Sequence, residues 1–249
     1  SITVTANDII INNTNFINGS TFANGGALYI RSNNAKIANS TFTNNTAATG
    51  GAISSVSNAG LTLGNLTFVK NTASDIAAVE LYGVSNAQIK DLNFIGNAAT
   101  NNCGALSYIG SGNAQTLSDC NFINNTAGNN YGAVYVSNVN VESCNFINNT
   151  AQADYSALYM ASGSNALTLT KSNFTGNLAN NRATVGIENA KAQVNNCNFT
   201  DNEVKASGSA IYVNAQEVII SNNIFDKNEA GANGTVYFAS ASGKILNSN

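Results

Sequence analysis

Phenylalanine returns along this chain at a nearly constant interval, and that interval limits the folds open to it. The members of the series are Phe16, Phe42, Phe68, Phe94, Phe122, Phe146, Phe174, Phe199 and Phe225. Their mean spacing is about 26 residues, a period typical of solenoid and propeller repeats. One such interval separates two copies of the sequence CNFINNTA, at residues 120–127 and 144–151. The sequence therefore predicts a single solenoid over residues 1–249, built from about nine rungs.

Two further regularities precede each phenylalanine, one at the fifth position before it and one at the third. An aliphatic residue lies five positions before it, at Ile11, Ile37, Leu63, Ile89, Leu117, Val141, Leu169, Val194 and Ile220. Three positions before it lie Asn13, Asn39, Asn65, Asp91, Asp119, Asn196 and Asn222, with Ser143 and Lys171 as exceptions. Because side chains alternate along a strand, an odd spacing buries both apolar groups only if the chain bends between them. Asparagine and aspartate tolerate the left-handed backbone of a bend, so we expect a corner there.

Asparagine also follows the phenylalanine by three positions in every rung except the first, which has Gly19. These residues are Asn45, Asn71, Asn97, Asn125, Asn149, Asn177, Asn202 and Asn228. A further asparagine precedes the following rung, at Asn34, Asn58, Asn86, Asn113, Asn138, Asn165, Asn189 and Asn214. Three short strands and three asparagine corners per rung predict an all-β parallel β-helix with triangular rungs. Like residues of successive rungs then lie about 4.8 Å apart, so the asparagines after the phenylalanine should form a buried ladder.

Alternation predicts which side chains of the glycine-rich segments face outward. In GGALYI (25–30), YGAVYV (131–136), SALYM (156–160) and SAIYV (209–213), the aliphatic residues face the core. The residues between them are Tyr29, Tyr135, Tyr159 and Tyr212. Tyrosine offers an apolar ring and a polar tip, so we predict that this outward aromatic row is a binding surface.

Composition excludes several classes of protein. Forty-three per cent of the residues are hydrophobic and 9% are charged, a balance that favours a buried core over disorder. The net charge is -3 and the ten Lys and Arg residues are scattered, which argues against a nucleic-acid partner. No apolar run reaches the length of a membrane span, so we expect no direct membrane insertion by these residues.

The pairing of a GGA(I/L) segment with F-x-x-N resembles the repeats of two groups of surface proteins. It is present at Gly50 to Ile53 and at Phe42 to Asn45. Similar repeats occur in chlamydial polymorphic outer-membrane proteins and in adhesin-like surface proteins of methanogenic archaea. The resemblance implies a right-handed β-helix that is exported and displayed at the cell surface as an adhesin or wall component.

A catalytic role is the competing interpretation of the acidic residues. Polysaccharide cleavage needs acidic groups, and often a base, grouped on one outer face. The candidates are Asp91 and Asp119 at one corner of adjacent rungs, with Lys90 and Glu142 nearby, and the pair Glu203 and Glu229. The chain has no histidine, and no arginine lies beside either pair. We therefore assign no catalytic residues and interpret these acids as replacements of asparagine at exposed turns, with a weak calcium site as the alternative.

Cysteine and sequon positions lead to two further expectations. Cys120, Cys144 and Cys197 should replace serine in the core as free thiols, with a disulfide between Cys120 and Cys144 as the alternative. No metal-ligand spacing is present, and no cofactor is implied. Asn173 and Asn198 begin N-x-T sequons one position before a phenylalanine, where side chains point outward. They are the preferred candidates for glycosylation.

These observations predict a non-catalytic, extracellular rod roughly 43 Å long at the strand spacing, which acts structurally or by adhesion through its repeated outer faces. The alternatives are a polysaccharide-processing enzyme and a carbohydrate-binding module that uses the tyrosine row. Expected partners are other copies of the chain or flanking repeats, and glycans or proteins of a host or neighbouring cell. Both ends of the sequence are strand-like, in ITVTAND and KILNSN, so we expect a section of a longer chain or end-to-end assembly.

Overall fold

The computed structural model describes residues 1–161, 165–188, 191–206, 208, 210–239 and 242–249. Throughout these residues the chain is a parallel β-solenoid with three sheets and no helix. Every paired strand runs parallel to its neighbour in the next rung, in a register that superposes like residues. The period predicted from phenylalanine is therefore the period of the coil.

The three sheets of the described residues differ in the lengths of their strands. The first sheet contains Ile2–Val4, Leu28–Ile30, Ile53–Val56, Val79–Val84, Leu106–Gly110, Val134–Ser137, Leu158–Ala161, Val185–Glu188, Ile211–Asn214 and Val236–Phe238. The second contains Ile10–Asn12, Asn15–Ile17, Lys36–Thr43, Thr62–Val69, Gln88–Ile95, Gln115–Ser118, Asn121–Ile123, Val139–Glu142, Asn145–Ile147, Leu167–Thr170, Asn173–Thr175, Lys191–Asn195, Asn198–Thr200, Glu217–Ser221, Ile224–Asp226 and Ser242–Leu246. The third contains Thr46–Ala47, Thr72–Ala73, Ala98–Ala99, Thr126–Ala127, Thr150–Ala151, Leu178–Ala179, Glu203–Val204 and Glu229–Ala230.

The phenylalanine series forms one continuous stack inside the coil. From Phe16 to Phe225 each ring lies 4.7 to 5.1 Å from the next, with interplanar angles of 5° to 16°. The rings from Phe42 to Phe199 are fully buried, and each contributes on the order of 1.5 to 3 kcal/mol through burial. The aliphatic residues five positions earlier line the same core from Ile37 to Ile220. The stack thus fixes the register of the second sheet.

The bend between these two rows is a left-handed residue in every rung, as predicted. All nine positions three before the phenylalanine have φ between 49° and 56°, including the exceptions Ser143 and Lys171. A second left-handed residue follows each phenylalanine by two positions, for example Asn44 and Asn124. The chain therefore turns at the residue before the ladder asparagine, and not at the ladder asparagine itself. This frees the ladder side chain to point inward.

The third predicted corner is less regular. Asn34, Asn86 and Asn138 are left-handed, with φ of 56°, 50° and 58°. In other rungs a neighbour takes that conformation, as Ser57 does beside Asn58 and Gly112 beside Asn113. Asn214 is not left-handed, while Asn189 and Ser209, the first residue of the 209–213 segment, lie outside the described residues. Turn length varies here, so asparagine alone does not locate the bend.

The buried asparagines hydrogen-bond along the axis from Asn45 to Asn228. Asn125 shows the pattern: its Nδ2 donates to Oδ1 of Asn149 at 3.0 Å and to the carbonyl of Phe94 at 3.0 Å. Its Oδ1 accepts from both the backbone N–H and Nδ2 of Asn97, at 3.0 and 2.9 Å. The seven residues from Asn45 to Asn202 are fully buried, and Asn228 is half-buried. Each amide in the interior is thus satisfied by its own copies and by a phenylalanine carbonyl.

Candidate ligand-binding face

Three of the four predicted tyrosines share one stretch of the outer face of the first sheet. Tyr135 pairs with Tyr159, and Tyr212 follows after Gly186. Tyr237 continues the row in the next rung. Tyr29 stands in the same row, but Ser54, Glu80 and Ser107 occupy the three rungs between it and Tyr135. The aromatic face is therefore concentrated in the second half of the chain, and Tyr29 is isolated from it.

Sequence reasoning missed two tyrosines that join this face. Tyr131 and Tyr155 occupy the turn before the strand, where Gly25 and Gly50 stand in earlier rungs. Both tyrosines have left-handed backbones, with φ of 60° and 58°. An L-residue with a bulky side chain is disfavoured there by roughly 1 to 2 kcal/mol. The available signal was the replacement of the first glycine of the GGA segment by tyrosine.

The tyrosine column, defined as Tyr131, Tyr135, Tyr155, Tyr159, Tyr212 and Tyr237, is held together by ring contacts. The ring centroid of Tyr159 lies 4.7 Å from that of Tyr131, 5.5 Å from that of Tyr135 and 4.9 Å from that of Tyr155. Tyr212 lies 6.1 Å from Tyr155 and 5.7 Å from Tyr237. Aromatic pairs at such distances attract one another beyond simple burial. The column is therefore a preorganised surface and not a set of independent side chains.

Tyr155 is the buried member of the column, at 2% exposure. Its ring covers Gly186, where an added Cβ would lie 2.4 Å from Cε1 of Tyr155. Residue 186 lies between Tyr159 and Tyr212 in this row but is not a tyrosine, because only glycine leaves room for the Tyr155 ring. The hydroxyl of Tyr155 donates to Glu188, and burial followed by this bond raises the pKa of the phenol far above its ordinary value.

Arg182 holds a charged centre beside these rings. Its guanidinium lies 2.9 Å from the Glu188 carboxylate, 3.3 Å from that of Asp154 and 3.0 Å from the Tyr155 hydroxyl. Its Cζ lies 5.2 Å from the ring centroid of Tyr212, within cation–π range. The Tyr155 hydroxyl raises the pKa of Arg182 further, so the guanidinium stays charged. With both acids bound to the guanidinium, this cluster fixes the positions of the side chains beside the rings.

A second row of polar side chains runs parallel to the column. This polar rail consists of Asp75, Asn102, Asn130, Asp154 and Arg182, one residue per rung. Nδ2 of Asn102 donates to Oδ1 of Asp75 at 3.1 Å, and Nδ2 of Asn130 donates to Oδ1 of Asn102 at 3.3 Å. The rail therefore presents amide and carboxylate groups, already aligned, next to the aromatic rings.

A groove of 320 Å³ opens where the tyrosine column meets the polar rail. It is lined by Asp75, Ile76, Asn102, Cys103, Ser107, Asn129, Asn130, Tyr131 and Tyr135. Its volume is at the lower end of the range of small-molecule sites. Burial raises the pKa of the Tyr131 phenol to about 12, so this ring is neutral at physiological pH. Burial likewise raises the pKa of the Cys103 thiol to about 12.

The acids considered for catalysis are exposed and lie away from this face. Asp91 and Asp119 occupy left-handed corners of adjacent rungs, the positions that asparagine holds elsewhere. Lys90 lies 3.6 Å from Asp91, and Lys171 lies 2.8 Å from Glu142. Glu203 and Glu229 are paired across adjacent short strands of the third sheet. The side chains of Asp91, Asp119, Glu203 and Glu229 are all exposed to solvent.

The proposed glycosylation sites belong to an outer ladder that the sequence pattern did not predict. Nδ2 of Asn173 donates to Oδ1 of Asn145, and Nδ2 of Asn198 donates to Oδ1 of Asn173, at 2.8 and 2.9 Å. The ladder continues through Asn121 to Asn93. Asn173 and Asn198 are both exposed. Each sequon amide is thus accessible but already donates one hydrogen bond.

The four cysteines are buried free thiols. Cys120 donates to the carbonyl of Ser118 at 3.0 Å and Cys144 to that of Glu142 at 3.2 Å, within the strand turn of each rung. Burial raises the pKa of Cys120.

Among the described residues, no three His, Cys, Asp or Glu side chains converge as metal ligands would. Nor does any helix there have the length and apolar character needed to cross a membrane.

Comparison with known proteins identifies the architecture. Residues 77–249 match the family described as right handed beta helix region. No curated protein and no solved structure matches the chain. Enzymes and non-enzymes share this fold, so the fold alone does not select a function. The stacked parallel rungs and a match over more than half of the sequence together show that this chain belongs to the right-handed β-helix family.

Proposed function

We propose that this chain is a non-catalytic, extracellular rod of a cell surface that acts by adhesion through the tyrosine column. The observation that carries the proposal is the left-handed backbone of Tyr131 and Tyr155. Gly25 and Gly50 hold that place in two earlier rungs, where glycine adopts the conformation without steric cost, and Cys103 holds it with φ of 59° in the rung before Tyr131. Bulky residues in this conformation are found at functional sites, and here the turn brings the half-exposed Tyr131 ring and the buried Tyr155 ring into the tyrosine column.

The distribution of side chains along the rod supports the same function. Five of the six rings of the tyrosine column remain half-exposed, although their neighbours in the core are fully buried. Aromatic residues are enriched where proteins contact partners, because a rigid ring provides area at little entropic cost. The proposed partners are glycans or proteins of a host or neighbouring cell, together with other copies or flanking repeats of the chain. An adhesin-like role also agrees with the repeat resemblance described above.

A polysaccharide-processing enzyme is the second candidate, since right-handed β-helices include such enzymes. The observation in its favour is the convergence of Asp154, Arg182 and Glu188 beside aromatic rings. However, Arg182 is bound to both carboxylates and to Tyr155, so these contacts already account for the cluster as a support of the aromatic rings. The adhesive role needs only the surface that these contacts hold in place.

The test measures the binding of saccharides and their cleavage in the same experiment. The purified chain is applied to an array of glycans and to intact cells, and bound protein and released saccharide are both measured. We expect binding without release of saccharide, and loss of binding in Tyr159→Ser, with Tyr29→Ser as the control on the isolated tyrosine. Saccharide release that disappears in Arg182→Gln would instead establish the enzyme. Equal binding by the wild type and Tyr159→Ser would show that the column is not the adhesive surface.

A further inference from the structure

The tyrosine column ends abruptly at the groove. Tyr131 and Tyr135 belong to one rung, and the preceding rung has Cys103 and Ser107 at the same two positions. Both tyrosines line the groove, as do both smaller residues. The space of 320 Å³ is therefore the place that the next pair of rings would fill. A flat ring of similar size could continue the stack there.

Hydrogen-bonding groups surround that space on the side of the polar rail. Asp75, Asn102 and Asn130 border it with a carboxylate and two amides, and Asn129 adds a third amide. The rail bonds that involve Asn102 and Asn130 are 3.1 to 3.3 Å long, longer than the 2.8 to 3.0 Å bonds between ladder side chains inside the coil. Oδ2 of Asp75 accepts no hydrogen bond from the described part of the chain. These groups can exchange a weak mutual bond for a ligand hydroxyl.

The charge of the groove restricts the ligand. Asp75 is the charged residue among those that line it, and no described lysine or arginine does. Glu80 is paired in register with Ser107, so a second carboxylate lies near the groove. An anionic ligand would thus meet like charge without a compensating cation. A ligand that is uncharged and rich in hydroxyl groups matches the lining.

These observations point to one chemical class. A hexopyranose ring has a face of C–H groups and a rim of hydroxyls, so it can pack against an aromatic ring and bond to amides and carboxylates at the same time. We propose that the groove between Ser107 and Tyr135 binds one hexopyranose ring of an uncharged glycan, a proposal that rests on the adhesive function above. Tyr131 and Tyr135 contact the C–H face, and Asp75, Asn102 and Asn130 bind the hydroxyls.

A blocking substitution provides the sharpest test. Ser107→Tyr extends the column by one ring and occupies the groove, while Tyr135 shows that the row accepts tyrosine. The probes are methyl hexopyranosides and uncharged oligosaccharides, with the corresponding uronic acids as charged counterparts, studied by saturation-transfer NMR and titration calorimetry. We expect the wild type to bind uncharged probes at least tenfold more tightly than uronic acids. Ser107→Tyr should keep its melting temperature and lose this binding, and the control Tyr29→Ser should keep both.

Tyr131→Gly gives an independent readout. Glycine occupies this place in two earlier rungs, so the variant can keep the left-handed backbone, and its melting temperature establishes that it folds. We expect it to bind the same probes at least tenfold more weakly. Failure of every uncharged probe to bind the wild type, or unchanged affinity in folded Ser107→Tyr, would overturn the groove proposal. If Ser107→Tyr still adheres to cells and Tyr159→Ser does not, the groove proposal fails while the adhesive function stands.

Discussion

At the scale of the residue, asparagine is the side chain that best satisfies this coil. In the interior ladder, its Oδ1 accepts two hydrogen bonds and its Nδ2 donates two, as at Asn125. Aspartate would supply the acceptors but no donor, and serine would reach only one neighbour. Because a buried polar group without a hydrogen-bond partner destabilises the folded state, the ladder favours a planar amide at this position of every rung.

Replacement of Asn125 by alanine tests this account. The backbone N–H of Asn97 and the carbonyl of Phe94 would each lose a partner while remaining buried. We expect the free energy of unfolding to fall by roughly 1 to 3 kcal/mol for each unsatisfied group, as measured by urea denaturation. The control is Asn121→Ala in the outer ladder, where water can replace the lost bonds, and its effect should be within about 0.5 kcal/mol. Equal losses in the two variants would contradict the distinction.

Tyr108 presents the opposite case. Its ring is fully buried in the core and its hydroxyl has no hydrogen-bond partner among the described residues. Tyr108→Phe removes a desolvated hydroxyl without removing the ring, so it should raise stability by about 1 kcal/mol. Thermal and urea unfolding measure the change. Destabilisation by that amount would show that the hydroxyl is bonded in solution, for instance to a buried water molecule.

At the scale of the element, alternation accounts for what the sequence could predict and what it could not. Inward residues such as Leu28 and Val134 were identified because their strands have a strict period of two. Tyr131 and Tyr155 were missed because they lie in turns, where that period does not apply. Ser143 and Lys171 adopt the corner despite their residue type, since the rungs on either side fix the backbone. Local preference predicts the majority of corners, and stacking decides the others.

Glu80 is an outward residue of the first sheet whose environment makes stability depend on pH. Burial raises its pKa, the Ser54 hydroxyl at 2.6 Å opposes this, and Asp75 adds to the rise. The folded chain therefore binds the proton more tightly than the unfolded chain. Between the ordinary pKa of a glutamate and its raised value, stability falls as pH rises.

Glu80→Gln should remove that dependence while keeping an acceptor for Ser54. We expect the difference in melting temperature, variant minus wild type, to be larger at pH 7 than at pH 4. Ser54→Ala removes the bond that favours the ionised form, so its stability should decline more steeply over the same range. Parallel curves of melting temperature against pH for the wild type and Glu80→Gln would contradict this explanation.

At the scale of the whole molecule, stability is the sum of rungs and of contacts between neighbouring rungs. Each described strand pairs only with the rungs directly before and after it, apart from the chain connection itself. The phenylalanine stack and the asparagine ladder likewise link one rung to the next. A chain of this kind should therefore tolerate a change in the number of rungs, provided that register is kept.

Duplication of residues 120–143 is the corresponding experiment. The second copy would be inserted between Ser143 and Cys144, so that each CNFINNTA segment meets an identical one, as residues 120–127 and 144–151 already do. Phe122 would stack on its own copy, and Asn125 would bond to its own copy, at the 24-residue separation that Asn125 and Asn149 now have. We expect a folded rod longer by about 4.8 Å, measured by small-angle X-ray scattering.

The melting temperature of the full-rung duplicate should equal or exceed that of the wild type, because one rung and one rung interface are added together. The matched control duplicates residues 120–131 alone, roughly half a rung. That insertion leaves an added Phe122 and Asn125 with no complete coil to return them to register, so the stack and the ladder are interrupted. Loss of cooperative unfolding is expected for the half-rung variant. Comparable destabilisation by both insertions would show that the rungs are not interchangeable units, and that features of the whole coil, beyond neighbour contacts, determine its stability.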